Sequence, residues 1–214
     1  MGLEKTHKKT EAEGRAFYFG MLGKLLLLQS PFLGWCAYLA FKQVPGQAAK
    51  VEAKFAFIAA HDLGWVFVAV LVVLFTKAYL VINANGARAG ARLDRPDQHI
   101  YKIMSPDKYS DAPYVLMATT GAAGRFNRAH RALYNYDEVL PVFLINLVCV
   151  ASVFGPLGLA LALFNLYGRT MFANLYTEDQ TKRGPGFMAS AISEYLTAGL
   201  VMVCAMKAFI PGLP

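Results

Sequence analysis

Apolar residues run along this chain in blocks of membrane-spanning length, not in the short alternations of strands. Residues 139–168 hold no Asp, Glu, Lys or Arg. A single spanning helix needs about 20 mostly apolar residues, so this run is too long for one comfortable crossing. Gly155-Pro156-Leu157-Gly158 interrupts it, which predicts two helices joined in a tight hairpin. The first is expected to begin well upstream, near Pro113, with a polar N-terminal half. The second is expected from about Pro156 to Tyr176. Residues 55–84, centred on 63–76, predict another span, and residues 186–209, interrupted by Glu194, predict a fourth. Residues 16–41 are a fifth apolar stretch containing Lys24, Gln29 and Pro31. Lys5, Lys8 and Lys9 precede it, as in a signal peptide. Its length and the lack of a clear small-residue cleavage site favour an extra anchor helix over a cleaved signal peptide, with an interfacial helix as a further alternative. The expected organisation is a basic tail and extra apolar helix over 1–54, then a four-helix membrane domain over 55–214.

Composition agrees with a membrane protein. Charged residues make up 16% of the chain, against about 25% in soluble domains. A disordered chain, a collagen and a disulfide scaffold are excluded. Cys36, Cys149 and Cys204 lie singly in apolar runs with no C-x-x-C, so neither a zinc site nor a disulfide framework is indicated. The net charge of +7 is distributed unevenly. If all five segments cross, 14 of the Lys and Arg fall on the side of the N-terminal tail, residues 85–131 and residues 177–186, and 4 on the other. The positive-inside rule places the richer side in the cytosol. The charge is then accounted for by topology and anionic lipid, with no call for nucleic acid. Residues 85–112 form a polar connection, long enough to suggest function or mobility.

Candidate chemistry lies where polar residues enter the apolar pattern. Arg131, Asn135 and Glu138 stand at i, i+4 and i+7, on one helix face. Ionisable groups near membrane depth cost roughly 2.5–3.5 kcal/mol on insertion scales, and usually point into a bundle or cavity with partners. An Arg–Glu pair bracing two helices is the plain reading. Across the hairpin, Arg169, Phe172 and Tyr176 again share a face, with Arg183 seven residues beyond Tyr176. Tyr176 alone reads as an aromatic-belt residue, and Lys182 and Arg183 read as positive-inside anchors. Together the two helices bring Arg, Asn, Glu, Tyr and Arg to one level, which suits a small, multiply charged ligand.

Arg131-Ala-x-x-Asn135-x-x-Glu138-x-x-Pro141 resembles the R-A-x-x-N-x-x-E-x-x-P motif of the membrane-associated proteins in eicosanoid and glutathione metabolism, the MAPEG family. The microsomal glutathione S-transferases of type three look closest. Their second motif, R-x-x-Y-x-x-x-Y followed by an arginine, corresponds here to Arg169-Thr-Met-Phe172-Ala-Asn-Leu-Tyr176 with Arg183 downstream. Phe172 stands where relatives carry the first tyrosine. The resemblance covers about residues 60–210. It implies an all-α integral membrane protein: an antiparallel four-helix transmembrane bundle, here with an extra N-terminal apolar helix, assembled as a homotrimer. Glutathione would sit between subunits, open to the cytosol. Arg131 and Asn135 would bind it, Glu138 would receive its ammonium, Tyr176 would hydrogen-bond it and Arg183 would stabilise its thiolate. Relatives also place an arginine just after the first bundle helix to complete a neighbour's site; Arg88 is the nearest candidate, while Asn85-Gly86 holds the closer register. The implied activity is conjugation of glutathione to lipophilic electrophiles, with reduction of lipid hydroperoxides as a companion, in the endoplasmic reticulum. The alternative is a non-catalytic binding or assembly subunit of a membrane complex. No metal is implied.

Overall fold

The computed structural model describes residues 10–93, 99–103, 115–210 and 212. Helices α1 (Glu11–Lys24) and α2 (Ser30–Lys42) are joined without a break by a π-helical turn over Leu25–Gln29. Then come α3 (Gln47–Ala60), α4 (Gly64–Gly90), short strands β1 (Tyr101–Ile103) and β2 (Val115–Met117), α5 (Gly121–Glu178), a 3-10 turn (Gln180–Arg183) and α6 (Gly184–Phe209). Four helical stretches are long and apolar enough to cross a membrane: Glu11–Lys42, Gly64–Gly90, Gly121–Glu178 and Gln180–Phe209. The third is of double length. It kinks at Phe154 and Gly155, whose backbone angles are not helical, at the expected break. The carbonyl of residue 152 would normally bond the N–H of residue 156, but Pro156 has none.

The chain divides into two compact units. The first collects Met1–Phe19, Thr76–Val139 and Gly168–Met188. In it α1 starts from a capping box: Thr10 Oγ1 accepts from the Glu13 N–H, and Glu13 Oε2 accepts from the Thr10 N–H at 2.7 Å. Lys77 of α4 pairs with Asp137 of α5. On the other arm of α5, Tyr79 donates to Asn174 Oδ1 at 2.6 Å and Asn83 donates to Thr177 Oγ1 at 2.9 Å. Arg128 ties the ends of α5 together by donating to the carbonyls of Thr119, Thr177 and Glu178. Strands β1 and β2 pair antiparallel, Lys102 opposite Leu116. The Asn127 side chain bonds the Ile100 N–H, the Ile100 carbonyl and the Ala118 carbonyl.

The second unit collects Gly20–Phe75, Leu140–Tyr167 and Ala189–Pro214. Its π-helical turn absorbs Pro31: the Ser30 N–H reaches back to the Leu25 carbonyl, five residues away. Gly46, at φ 74°, turns α2 into α3 in a conformation that costs glycine little. Tyr38 and Lys42 both donate to Glu52 Oε1, at 2.9 and 2.6 Å, and hold the Glu52 carboxyl below its usual pKa, Lys42 contributing most. At the α5 kink a Cβ on Gly158 would fall 2.5 Å from that of Ala151. Residues seven apart on a straight helix lie roughly 10 Å apart, so the chain reverses sharply here. Asn165 of α5 donates to Ser193 Oγ at 2.9 Å and Glu194 Oε1 at 3.1 Å on α6.

Three boundaries differ from expectation. The stretch 55–84 is two elements, because α3 ends at Ala60 and α4 begins at Gly64, with Asp62 in the left-handed region between them. Helix α4 runs six residues further, to Gly90, so the start of the supposed 85–112 connection is helical. Residues 94–98 and 104–112 of that connection lie outside the described residues, as do Lys5, Lys8 and Lys9. Helix α5 starts at Gly121 and not near Pro113, which also lies outside them; Val115–Met117 is strand, its backbone committed to β1.

Candidate functional site

All the residues of this site belong to the first unit. Its first wall is the early part of α5, where the i, i+4 spacing places Arg131 and Asn135 on one face as expected. The second wall is the late part of α5, carrying Phe172 and Tyr176. The floor is the 3-10 turn and the start of α6, which bring Arg183, Gly184 and Phe187. These residues line a cavity of about 290 Å³, near the lower end of the range for ligand clefts. Four of the six expected residues thus meet at one place: Arg131, Asn135, Tyr176 and Arg183.

Each wall is fixed by its own contacts. Arg169, 2% exposed, donates to Asn135 Oδ1 at 2.7 Å. A guanidinium has no acceptor, so it orients the amide, engaging the oxygen and leaving the NH₂ as the remaining donor. Arg169 also lies 5.4 Å from the centre of the Tyr136 ring. Phe172 is buried, and its ring stacks on Tyr176 at 5.3 Å. Gly186 permits α6 to approach: a Cβ there would fall 2.2 Å from the Phe172 backbone nitrogen. Asp179 opens the turn that carries Arg183. Its carboxylate accepts from the Thr181 N–H and hydroxyl, both at 2.8 Å, and the backbone bond chiefly lowers its pKa.

The charges are disposed unequally. Arg131 donates to both Glu138 oxygens, at 2.8 and 3.4 Å. The two side chains are 47% and 54% exposed, so in water such a pair would contribute about 0–1 kcal/mol. Both lie on α5, two turns apart, so within this chain the pair does not brace two helices. Glu138 itself is outside the cavity lining. Arg183 differs: its guanidinium carbon lies 5.8 Å from the centre of the Tyr176 ring, and it has no carboxylate partner among the described residues. The Tyr176 hydroxyl likewise has no hydrogen-bond partner among them. Two guanidinium groups, an amide NH₂ and a phenol thus converge beside two aromatic rings, an arrangement suited to an anionic ligand with an apolar neighbour.

Arg88 lies apart from this lining. It is 3% exposed, its guanidinium 5.0 Å from the Phe126 ring centre and 3.3 Å from His130 Nε2. Three contributions were not anticipated: Arg169 as the group that orients Asn135, Phe187 as a wall, and Arg128 as the tie between the ends of α5. The i, i+3, i+7 spacing of Arg169, Phe172 and Tyr176 already placed Arg169 on the right face. For Arg128 and Phe187 no local signal distinguishes them from other basic and apolar neighbours.

The model of the MAPEG family matches residues 62–203, a span that contains the whole cavity lining. A comparison with curated proteins finds no match.

Proposed function

The chain belongs to the MAPEG family, and from that premise we propose that it is a membrane glutathione S-transferase. Membership supports an integral membrane protein of eicosanoid or glutathione metabolism. The finer reading rests on one observation, the convergence of Arg131, Asn135, Tyr176 and Arg183 on a single cavity. Glutathione carries two carboxylates, an ammonium and a thiol. Arg131 and the Asn135 NH₂ suit a carboxylate. Glu138, beside Arg131, suits the ammonium. Tyr176 adds a hydrogen bond. Arg183 is the cavity's cation without a carboxylate partner among the described residues, and so the group best suited to a thiolate. A free thiol has a pKa of about 8.5, and a nearby cation favours its charged form. The thiolate sulfur then bonds to the electrophilic carbon of a lipophilic substrate arriving from the bilayer, and the bond to the leaving group breaks with its electron pair. With a lipid hydroperoxide, two glutathiones would give the disulfide while the hydroperoxide becomes an alcohol and water.

The same reading places the antiparallel bundle over 55–214, with the extra helix before it, in a homotrimer of the endoplasmic reticulum whose basic loops face the cytosol. The exposed Arg131–Glu138 pair supports assembly, because charged groups within membrane-spanning helices need partners. Arg88 would complete a neighbour's site only by leaving Phe126 and His130. The test is glutathione-dependent thermal stabilisation of the detergent-purified protein, followed by conjugation of a lipophilic electrophile. Stabilisation without turnover would favour the non-catalytic assembly subunit. The absence of both stabilisation and turnover would end the glutathione reading.

A further inference from the structure

Helix α1 lies outside the family match, yet its first turns are built into the unit that holds the cavity. The Glu11 carboxylate accepts from Arg125 Nε and Nη2, at 2.7 and 3.0 Å. The contact with α4 is close: a Cβ on Gly14 would fall 2.6 Å from that of Ala89. At Gly86 a Cβ would fall 2.2 Å from Arg15 Cγ, so the Arg15 side chain occupies the space that residue 86 leaves empty. From there Arg15 Nη2, which also pairs with Glu11 Oε1 at 2.9 Å, donates to Asn83 Oδ1 at 2.7 Å. Asn83, 2% exposed, donates its own NH₂ to Thr177 Oγ1 at 2.9 Å, and Thr177 is fully buried. Thr177 follows Tyr176 directly in the chain, and the turn bearing Arg183 begins three residues later.

We propose that residues 10–19 are a strap that holds the cavity in its binding form, with Arg15 as a positioning residue acting through Asn83 and Thr177 on Tyr176 and Arg183. This rests on the glutathione reading of the cavity. The relay suits such a role because Asn83 is engaged at both ends. Its oxygen faces a donor-only guanidinium, which fixes the amide, and the fixed NH₂ then holds the last turn of α5. The same turn is also held by Arg128, which donates to the carbonyls of Thr177 and Glu178. Loss of the strap's pull would free the turn to shift in the unliganded cavity, moving Tyr176 and Arg183 away from Arg131 and Asn135 until bound glutathione draws them back.

The experiment measures glutathione affinity and turnover in the purified full-length protein and in Arg15→Ala, Thr177→Val and the double variant. Each single change should raise the Kd about tenfold, the upper end for a hydrogen bond between neutral groups and the lower end for one to a charged group, with kcat at saturating glutathione within about twofold. Because both act through one relay, the double variant should also lose about tenfold, not a hundredfold. Arg15→Lys, which keeps the charge, should recover most of the affinity and guards against a misfolded alanine variant. Wild-type affinity in both single variants, or additive losses in the double, would overturn the strap. If the wild type itself bound no glutathione, the proposed function would fall first and the strap's role with it.

Discussion

Arg183 is the residue on which the chemistry turns, because it is the cavity's cation without a carboxylate partner among the described residues. A guanidinium stays charged at any working pH and can approach an anion without titrating. Arg183→Ala is expected to raise the pKa of bound glutathione by one to two units, equivalent to about 1.4–2.7 kcal/mol. At neutral pH the conjugation rate should fall roughly ten- to hundredfold where thiolate formation limits it. A pH titration of thiolate absorbance in wild type and variant checks this; an unchanged titration would return Arg183 to a topological anchor. Asp179 supports the same turn and adds a pH dependence. Its folded pKa is depressed by the Thr181 bonds, so its contribution is complete above the unfolded value of about 3.9 and is lost as pH falls through the folded value. Asp179→Ala should therefore remove that acid-side loss, as read by the thermal stability of wild type and variant from pH 7 down to below about pH 4. At this scale the face formed by Arg131, Asn135 and Glu138 was legible, since helical spacing alone places them together. The orientation of Asn135 was not, because its partner Arg169 is 34 residues away in sequence. Pairings of that range are set by how the arms of α5 pack, which no local spacing encodes.

Helix α5 shows what elements can and cannot disclose. A straight helix of 58 residues would be about 87 Å long, far beyond a hydrocarbon core of about 30 Å. Gly155-Pro156 resolves that conflict and was visible as a Gly/Pro interruption. The start of α1 was equally encoded, in Thr10 and Glu13, but a search for apolar length begins at the first hydrophobic run and passes over a polar cap. The extension of α4 to Gly90 was obscured for the opposite reason. Asn85, Arg88 and four small residues look like a loop until α1 covers Gly86 and Gly90. Gly186 carries the sharpest expectation at this scale. Any side chain there must push against the backbone of α5 at Phe172, which cannot yield as a flexible side chain does. Gly186→Val should cost about 1–3 kcal/mol through overpacking. It should also weaken glutathione binding by shifting Phe187 off the cavity, whereas Gly184→Ala, with open space around it, should leave thermal stability nearly unchanged. Equal melting temperatures for the two variants would contradict the close approach.

The whole molecule presents a polar problem that a single chain does not solve. Arg131 and Glu138 neutralise one another, yet about half of each side chain remains uncovered, and both lie on a helix long and apolar enough to cross a membrane. Lipid offers such groups nothing comparable to water, so their remaining donors and acceptors are expected to face another subunit or a bound ligand. The exposed pair thus gives a physical reason to expect a partner at this face, a subunit or a ligand, without fixing how many subunits assemble. It also separates two roles that one residue could play. Glu138→Gln keeps shape and hydrogen-bonding capacity while removing charge. If Glu138 receives the ammonium of glutathione, the variant should remain trimeric in mild detergent while its glutathione affinity drops about tenfold or more, as expected for a charged hydrogen-bond partner. If instead the carboxylate is the brace between subunits, crosslinking and mass determination should show the variant falling to monomer. A wild-type protein found only as monomer under the same conditions would remove the assembly altogether. The Arg131–Glu138 pair would then be a surface feature, and the cavity of one chain would have to bind glutathione unaided.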